Sequence, residues 1–100
     1  MVIKHKSQDE TYLLSATFGK YPNGQNSIKL NDCEDGFPFA TATLCVEDEL
    51  LKPDEVAIKD YSENVGILES LIDADIIDYP HAFIWTGHVR IPICKLIVKK

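Results

Sequence analysis

Tyr12-Leu13-Leu14-Ser15-Ala16-Thr17-Phe18, then Tyr21-Pro22-Asn23-Gly24, then Ser27-Ile28-Lys29-Leu30 is the stretch on which the fold turns. One alternating set, Tyr12, Leu14, Ala16 and Phe18, is apolar or aromatic, the period-two pattern of a half-buried strand. Asn23-Gly24 suits a tight hairpin turn, because such turns need positive φ angles that glycine adopts freely and asparagine tolerates. Ile28 and Leu30 keep the same period on the return strand. A second turn at Glu34-Asp35-Gly36 leads to Ala40-Thr41-Ala42-Thr43-Leu44-Cys45-Val46. There Ala40, Ala42, Leu44 and Val46 form an inward face, and Thr41 and Thr43 suit the other. The first 46 residues therefore read as strands, with a three-stranded antiparallel meander at their centre.

Working outward, Glu47 to Asp54 reads as an acidic loop and Glu55-Val56-Ala57-Ile58-Lys59 as a short strand. The period then changes. From Glu63 to Ile76, apolar residues fall at Val65, Leu68, Leu71, Ile72 and Ile76, the rhythm of an amphipathic helix. Asp60 with Glu63 three residues on predicts a capping box, with Ser62 as a competing cap. Glu69, Asp73 and Asp75 keep the outer face acidic through the last turns, where the helix dipole disfavours anions. The last element is a strand, Val89-Arg90-Ile91-Pro92-Ile93-Cys94-Lys95-Leu96, which Pro92 assigns to an edge or bulges, because proline has no N–H for a ladder. Between helix and strand, Asp78 to Gly87 has no clear period and is rich in aromatics. The expected fold is a single α+β domain over residues 1–100, a curved antiparallel sheet of about five strands with one helix packed on it.

One hundred residues, 45% apolar and 26% charged, suit one soluble globular domain. A chain of this size buries roughly two-thirds of its unfolded surface. The longest apolar run is Ala82-Phe83-Ile84-Trp85, too short to span a bilayer, and Met1 to Lys6 is too charged for a signal peptide, so no membrane partner is expected. The net charge of −6 is unevenly spread: residues 31–80 hold fourteen acids and two bases, while residues 1–30 are net +2 and 81–100 net +4. An acidic middle repels phosphate backbones, which argues against direct nucleic-acid binding; it reads either as an attractor for a basic protein surface or as an ordinary solvated face. Cys33, Cys45 and Cys94 are odd in number, form no CxxC pair and fit buried free thiols in a reducing cytoplasm. Neither they nor His5, His81 and His88 have the clustered spacing of a zinc site, so no metal and no cofactor is expected.

The search for chemistry returns no GxGxxG, P-loop, HExxH or GxSxG pattern. Asp73-Ala74-Asp75-Ile76-Ile77-Asp78 fails as a calcium loop, because Asp78 stands where glycine is required and Ile84 where the bidentate acid belongs. Cys94 with His81 or His88 offers a nucleophile and a base, but a thiol inside an apolar strand is ordinarily inert. His81 and His88 flank the aromatic segment and read either as a pH-sensitive pair or as ordinary loop histidines. Asp60-Tyr61-Ser62-Glu63-Asn64 is the densest polar cluster and has two readings, an acid/base pair of Asp60 and Glu63 or a helix cap. The cap accounts for Asp60, Ser62 and Glu63 and leaves Tyr61 and Asn64 as recognition groups. Tyr79, Phe83 and Trp85 read either as an anchor patch for a protein partner or as residues closing one end of the core. No residue is assigned a catalytic role.

The run Asp54-Glu55-Val56-Ala57-Ile58-Lys59-Asp60-Tyr61-Ser62-Glu63-Asn64-Val65-Gly66-Ile67-Leu68 resembles the DEVxIKDYSENxGxL signature of a small uncharacterised family from bacteriophages, plasmids and other mobile elements. Tyr21-Pro22-Asn23-Gly24 resembles that family's turn, Glu34-Asp35-Gly36-Phe37-Pro38 its DGxP segment and Ala40-Thr41-Ala42-Thr43 its ATAT strand. Gly87 to Leu96 is similar to its closing GxVxxPxCxL. The likeness covers roughly residues 18–97 and departs from Asp73 to Trp85, where the family is richer in glycine. It implies no enzyme activity or cofactor. What it implies is an accessory protein of a mobile element in a bacterial cytoplasm, of the kind that blocks host defence enzymes.

Together these readings lead to a non-enzymatic protein, monomer or homodimer, that binds and inhibits a basic or nucleic-acid-handling host protein. Its proposed acidic face is Glu47, Asp48 and Glu49 on the loop with Glu69, Asp73 and Asp75 on the helix. The alternative is a small enzyme or ligand-binding domain centred on Asp60, Tyr61 and Glu63 with nearby histidines.

Overall fold

The alternation of the amino-terminal half forms its strands as expected, but two sheets share them. The computed structural model describes residues 2–7 and 9–98, Glu63 through its backbone alone. Strands β1 (Val2–Ser7), β2 (Glu10–Lys20), β3 (Asn26–Asp32) and β4 (Pro38–Thr41) form one antiparallel sheet in chain order. Strands β5 (Thr43–Leu44), β6 (Glu55–Ile58), β7 (Ala82–Thr86) and β8 (Val89–Lys95) form a second, ordered β5-β6-β8-β7. Helix α1 (Ile67–Asp73) packs against β1. The class is α+β, mostly antiparallel sheet with one helix among the described residues. Two four-stranded sheets replace the single curved sheet of about five strands.

The division falls at Ala42. The strand expected over Ala40–Val46 is cut there, one part pairing with β3 and the other with β6. The Ala42 N–H donates to the Ile28 carbonyl at 2.9 Å, and its own carbonyl accepts the Lys59 N–H at 2.8 Å. Ala42 is fully buried between these backbones, and a single methyl allows that approach.

The β2–β3 register sets Ala16 opposite Leu30 and Phe18 opposite Ile28, so both apolar sets meet on one face. With Ile3 of β1, Val56 and Ile58 of β6, Cys94 of β8 and Ile67 and Leu71 of α1, they build the main core. A buried Ile or Leu there contributes about 1.5–3 kcal/mol relative to exposure. The opposite face of the second sheet carries a smaller cluster, Ala57, Ile91 and Ile93. Both faces being covered explains the unbroken apolar runs Val56–Ile58 and Ile91–Cys94.

Several expectations about elements change. The helix expected over 63–76 is shorter: Ser62–Asn64 is a 3-10 turn, and α1 starts after Gly66, whose φ is 95°. That start buries Ile67 and leaves Val65 63% exposed. The Asp60–Glu63 capping box is not the cap used. Asp60 reaches across the turn, its Oδ1 accepting the N–H groups of Gly66 and Leu68, both at 3.0 Å; the Glu63 side chain lies outside the described residues. Glu69 then stands in the first turn, where the dipole favours an anion, so the misplaced acidity expected at the helix end reduces to Asp73, with Asp75 beyond it.

Strand β8 is interior, not an edge. The β6 ladder ends at Ala57↔Ile93, one residue short of Pro92, so the missing N–H interrupts no pairing there. The stretch Asp78 to Gly87 contains β7, which with β5 forms the edges of the second sheet. Finally, Cys94 is buried, but Cys33 and Cys45 are exposed, and all three are free. No helix among the described residues is long and apolar enough to cross a membrane.

Candidate functional site: a groove beside the acidic loop

Leaving β5, the chain crosses the smaller cluster, with Val46 and Leu51 packed on it, and forms a 3-10 turn at Asp48–Leu50. The loop exposes Glu47, Asp48 and Glu49. A polar segment of this kind has no core of its own, and side chains from the β2–β3 turn hold it. Asn23 Nδ2 donates to the Val46 carbonyl at 3.2 Å and to Asp48 Oδ1 at 2.9 Å. Gln25 Nε2 donates to the Glu47 carbonyl at 3.2 Å, and Gln25 Oε1 accepts the Val46 N–H at 2.9 Å. The Tyr21 hydroxyl donates to the Thr43 carbonyl at 2.9 Å. A turn of the first sheet thus clasps the loop of the second, with Gly24 at φ 90° completing the bend.

Between this loop and β7 lies a groove of about 440 Å³. Leu44, Leu50, Ile84 and Ile91 give it apolar walls, and Glu47, Tyr61 and Trp85 border it. The β7–β8 hairpin sets its other boundary. Its two-residue turn, Gly87-His88 with Gly87 at φ 60°, closes on the pair Thr86↔Val89. Register then pairs Ile84 with Ile91 on the groove face and Phe83 with Pro92 on the other; Trp85, paired with Arg90, alternates with Ile84 yet stands at the groove's rim. Phe83 is 45% and Trp85 69% exposed, so these rings lie at the surface and do not close the core. The Arg90 guanidinium stacks 4.2 Å from the Phe83 ring centre, a cation–π contact. Tyr61 is half-buried with the Lys59 ammonium 5.7 Å from its ring centre.

The structure gathers only some of the expected site residues. Glu47, Tyr61 and Trp85 share the groove, with Asp48 and Glu49 on the adjoining loop. Glu69 and Asp73 line a different groove, about 560 Å³ between β1 and α1, where Lys4 and Lys6 stand with them; Asp75 follows the helix at φ 58°. The two grooves share no lining residue, so the six acids do not border one cleft. The bases Lys99 and Lys100 lie outside the described residues. Asn64 is buried, and its Nδ2 donates to the Thr41 carbonyl at 2.8 Å, tying the 3-10 turn to β4. Tyr79 is 71% exposed and lines neither groove.

Among the described side chains of the enzyme reading, neither His81 nor His88 joins Asp60 and Tyr61. His81 pairs with Glu55, and His88 sits in the hairpin turn at the far end of β7. The Lys52 amide, with a lesser contribution from His81, holds the Glu55 carboxyl below its usual range. Burial pushes the Cys94 thiol up to about 12, with Asp78 adding to the shift, which keeps it protonated and inert. The histidine that senses Asp60 is His5, which sequence reasoning passed over. Its alternation with Ile3 in Val2–Ser7 was the available signal. His5 is fully buried, edge-on to Phe39 at 5.8 Å between ring centres, and its Nδ1 lies 2.9 Å from Ser70 Oγ. Ser70 Oγ donates to the Gly66 carbonyl at 3.0 Å, so Nδ1 is the donor to Ser70. The buried Nε2 has no partner. Burial lowers the His5 pKa, and the Asp60 charge offsets part of that. Among the described residues, no three His, Cys, Asp or Glu side chains cluster as metal ligands.

Compared with known proteins, the chain matches no family model, no curated protein and no solved structure.

Proposed function

We propose that this protein is a non-enzymatic binding protein that engages a basic surface of another protein and blocks it. The observation that carries the reading is the groove of the second sheet, where exposed Trp85 and half-buried Tyr61 border apolar walls beside Glu47, Asp48 and Glu49. Aromatic anchors next to a charged rim suit a protein interface, the rings supplying buried area and the acids steering a basic partner. The resemblance of Asp54 to Leu68 to a mobile-element family supports a host protein as target, with nucleic-acid-handling defence enzymes as the natural class. Such proteins carry a basic surface for their own substrate. The loop acids take precedence over Glu69 and Asp73, whose field Lys4 and Lys6 offset.

Affinity capture from bacterial lysate, compared between the native chain and two charge reversals, tests this. Changing Glu47, Asp48 and Glu49 together to Lys should abolish capture of a basic protein, and changing Glu69, Asp73 and Asp75 should leave it. Equal capture by all three chains would overturn the assignment. Asp60, spent on two backbone amides, favours a cap over the enzyme reading, and Asn64, buried and spent on a carbonyl, is not offered as a recognition group.

A further inference from the structure

We infer that β7 is a strand-addition edge, and that the partner enters as an extended segment in which basic and apolar residues alternate. The inference rests on the binding function just proposed and specifies the form of its ligand. The backbone argument comes first. In an antiparallel ladder, hydrogen-bonded and non-bonded pairs alternate, and the pair closing a two-residue turn is bonded. Thr86↔Val89, Ile84↔Ile91 and Ala82↔Ile93 are therefore the bonded pairs. The N–H and C=O groups of Phe83 and Trp85 then point away from β8, towards the open side of the sheet. Strand β7 is last in the sheet order, and among the described residues no turn or loop backbone bond reaches Phe83 or Trp85.

Edge strands are ordinarily protected by charge, proline or a bulge. Ala82-Phe83-Ile84-Trp85-Thr86 has no charged residue and no proline, and its register with β8 is unbroken. It is an unguarded template of the kind that extended peptides complete.

The two faces of β7 then dictate the side chains of the added strand. On one face lie the groove walls and Glu47, with Trp85 at the rim; on the other lie Phe83 and the Arg90 stacked on it. A lysine on the groove face lays its aliphatic stem along Ile84 and Leu50 and brings its ammonium to the acidic loop. The same lysine on the other face would meet the Arg90 guanidinium. Apolar residues belong there, against the exposed Phe83 ring. Strand periodicity turns that difference into a sequence rule, basic at one parity and apolar at the next. A second copy of this chain is the weaker occupant, because pairing β7 with β7 would bring two acidic loops to one edge.

Trp85 is the only tryptophan, so its fluorescence reports binding directly. The probe is acetyl-Lys-Val-Lys-Val-Lys-Val-Lys-amide, with a Glu-for-Lys analogue and two N-methylated versions, one blocked at every Lys amide and one at every Val amide. The Lys peptide should give a saturable change that the Glu peptide does not. One N-methylated version should lose about tenfold or more in affinity, because its blocked amides face β7, while the other binds like the parent. The amide protons of Phe83 and Trp85 should exchange more slowly with the parent peptide bound. Two outcomes overturn strand addition: no saturable response to the Lys peptide, or both N-methylated versions binding as tightly as the parent. If they bind alike and the Glu47, Asp48 and Glu49 reversal still weakens them, the acidic rim survives and strand addition does not. If that reversal leaves parent binding unchanged, the acidic-rim reading itself fails.

Discussion

His5 and Asp60 show how single side chains in this chain are committed to the fold. His5 is buried with one ring nitrogen bonded and the other orphaned, and burial lowers its pKa. The unfolded chain takes up a proton at this position as the pH falls through 6.5, whereas the folded chain resists until lower pH. The unfolded state binds more protons in that window, so stability is full above it and falls as the medium acidifies. His5→Phe should flatten this dependence. Urea midpoints at neutral pH and at pH 5.5 check it, and an equal acid loss in both proteins would show that other groups cause it. Asp60 accepts two amides at the start of α1. Asp60→Ala should cost about 0.5–2 kcal/mol, the usual effect of losing a helix cap. Asp60→Asn retains an acceptor oxygen and should cost less in the same thermal melts. Neither change should alter binding of the lysine peptide.

At the level of elements, Ala42 is where one strand becomes two. It is fully buried and bonded to both sheets, so Ala42→Leu should destabilise by about 1–3 kcal/mol through overpacking, measurable as a lower urea midpoint. Nothing in Ala40-Thr41-Ala42-Thr43-Leu44 announces that break, since the alternation runs through it unbroken. The β2–β3 hairpin was legible because periodicity and turn chemistry agreed there. The helix was legible in type but not in length: the period admits Val65, and only the positive φ of Gly66 excludes it. Strand β7 was illegible for a different reason. Ile84 alone is partly covered there, and an edge strand with both faces open leaves little burial pattern. The site shared that opacity. Its acids and aromatics were identifiable one by one, but the partition of the acids between two grooves depends on sheet order, which local sequence does not encode. Pro92 is a poor guide to strand position, because the ladder beside it simply ends early.

Across the whole molecule, which measures 37 × 30 × 21 Å, the strongly acidic middle of the chain resolves into two surfaces of different character. The β1–α1 groove mixes Lys4 and Lys6 with Glu69 and Asp73, whereas the β7 groove has Glu47 and an apolar wall. Binding at the second should therefore weaken with salt, since exposed charges lose reach as the Debye length shrinks from about 10 Å at 0.1 M to about 3 Å at 1 M. Titrating the lysine peptide against sodium chloride checks this, and an affinity indifferent to salt would assign the contact to the apolar wall alone. The clasp of Asn23 and Gln25 on the loop has its consequence in time. Steering depends on how many acids the loop carries, and their release from the clasp removes none of them. How long a bound segment stays depends on whether the loop is already in shape, because any ordering deferred to the complex is recovered on dissociation. Replacing Asn23 and Gln25 with Ala should leave the association rate within about a factor of two while the peptide departs faster. A hairpin turn on one sheet would then set the residence time of a ligand held by the other.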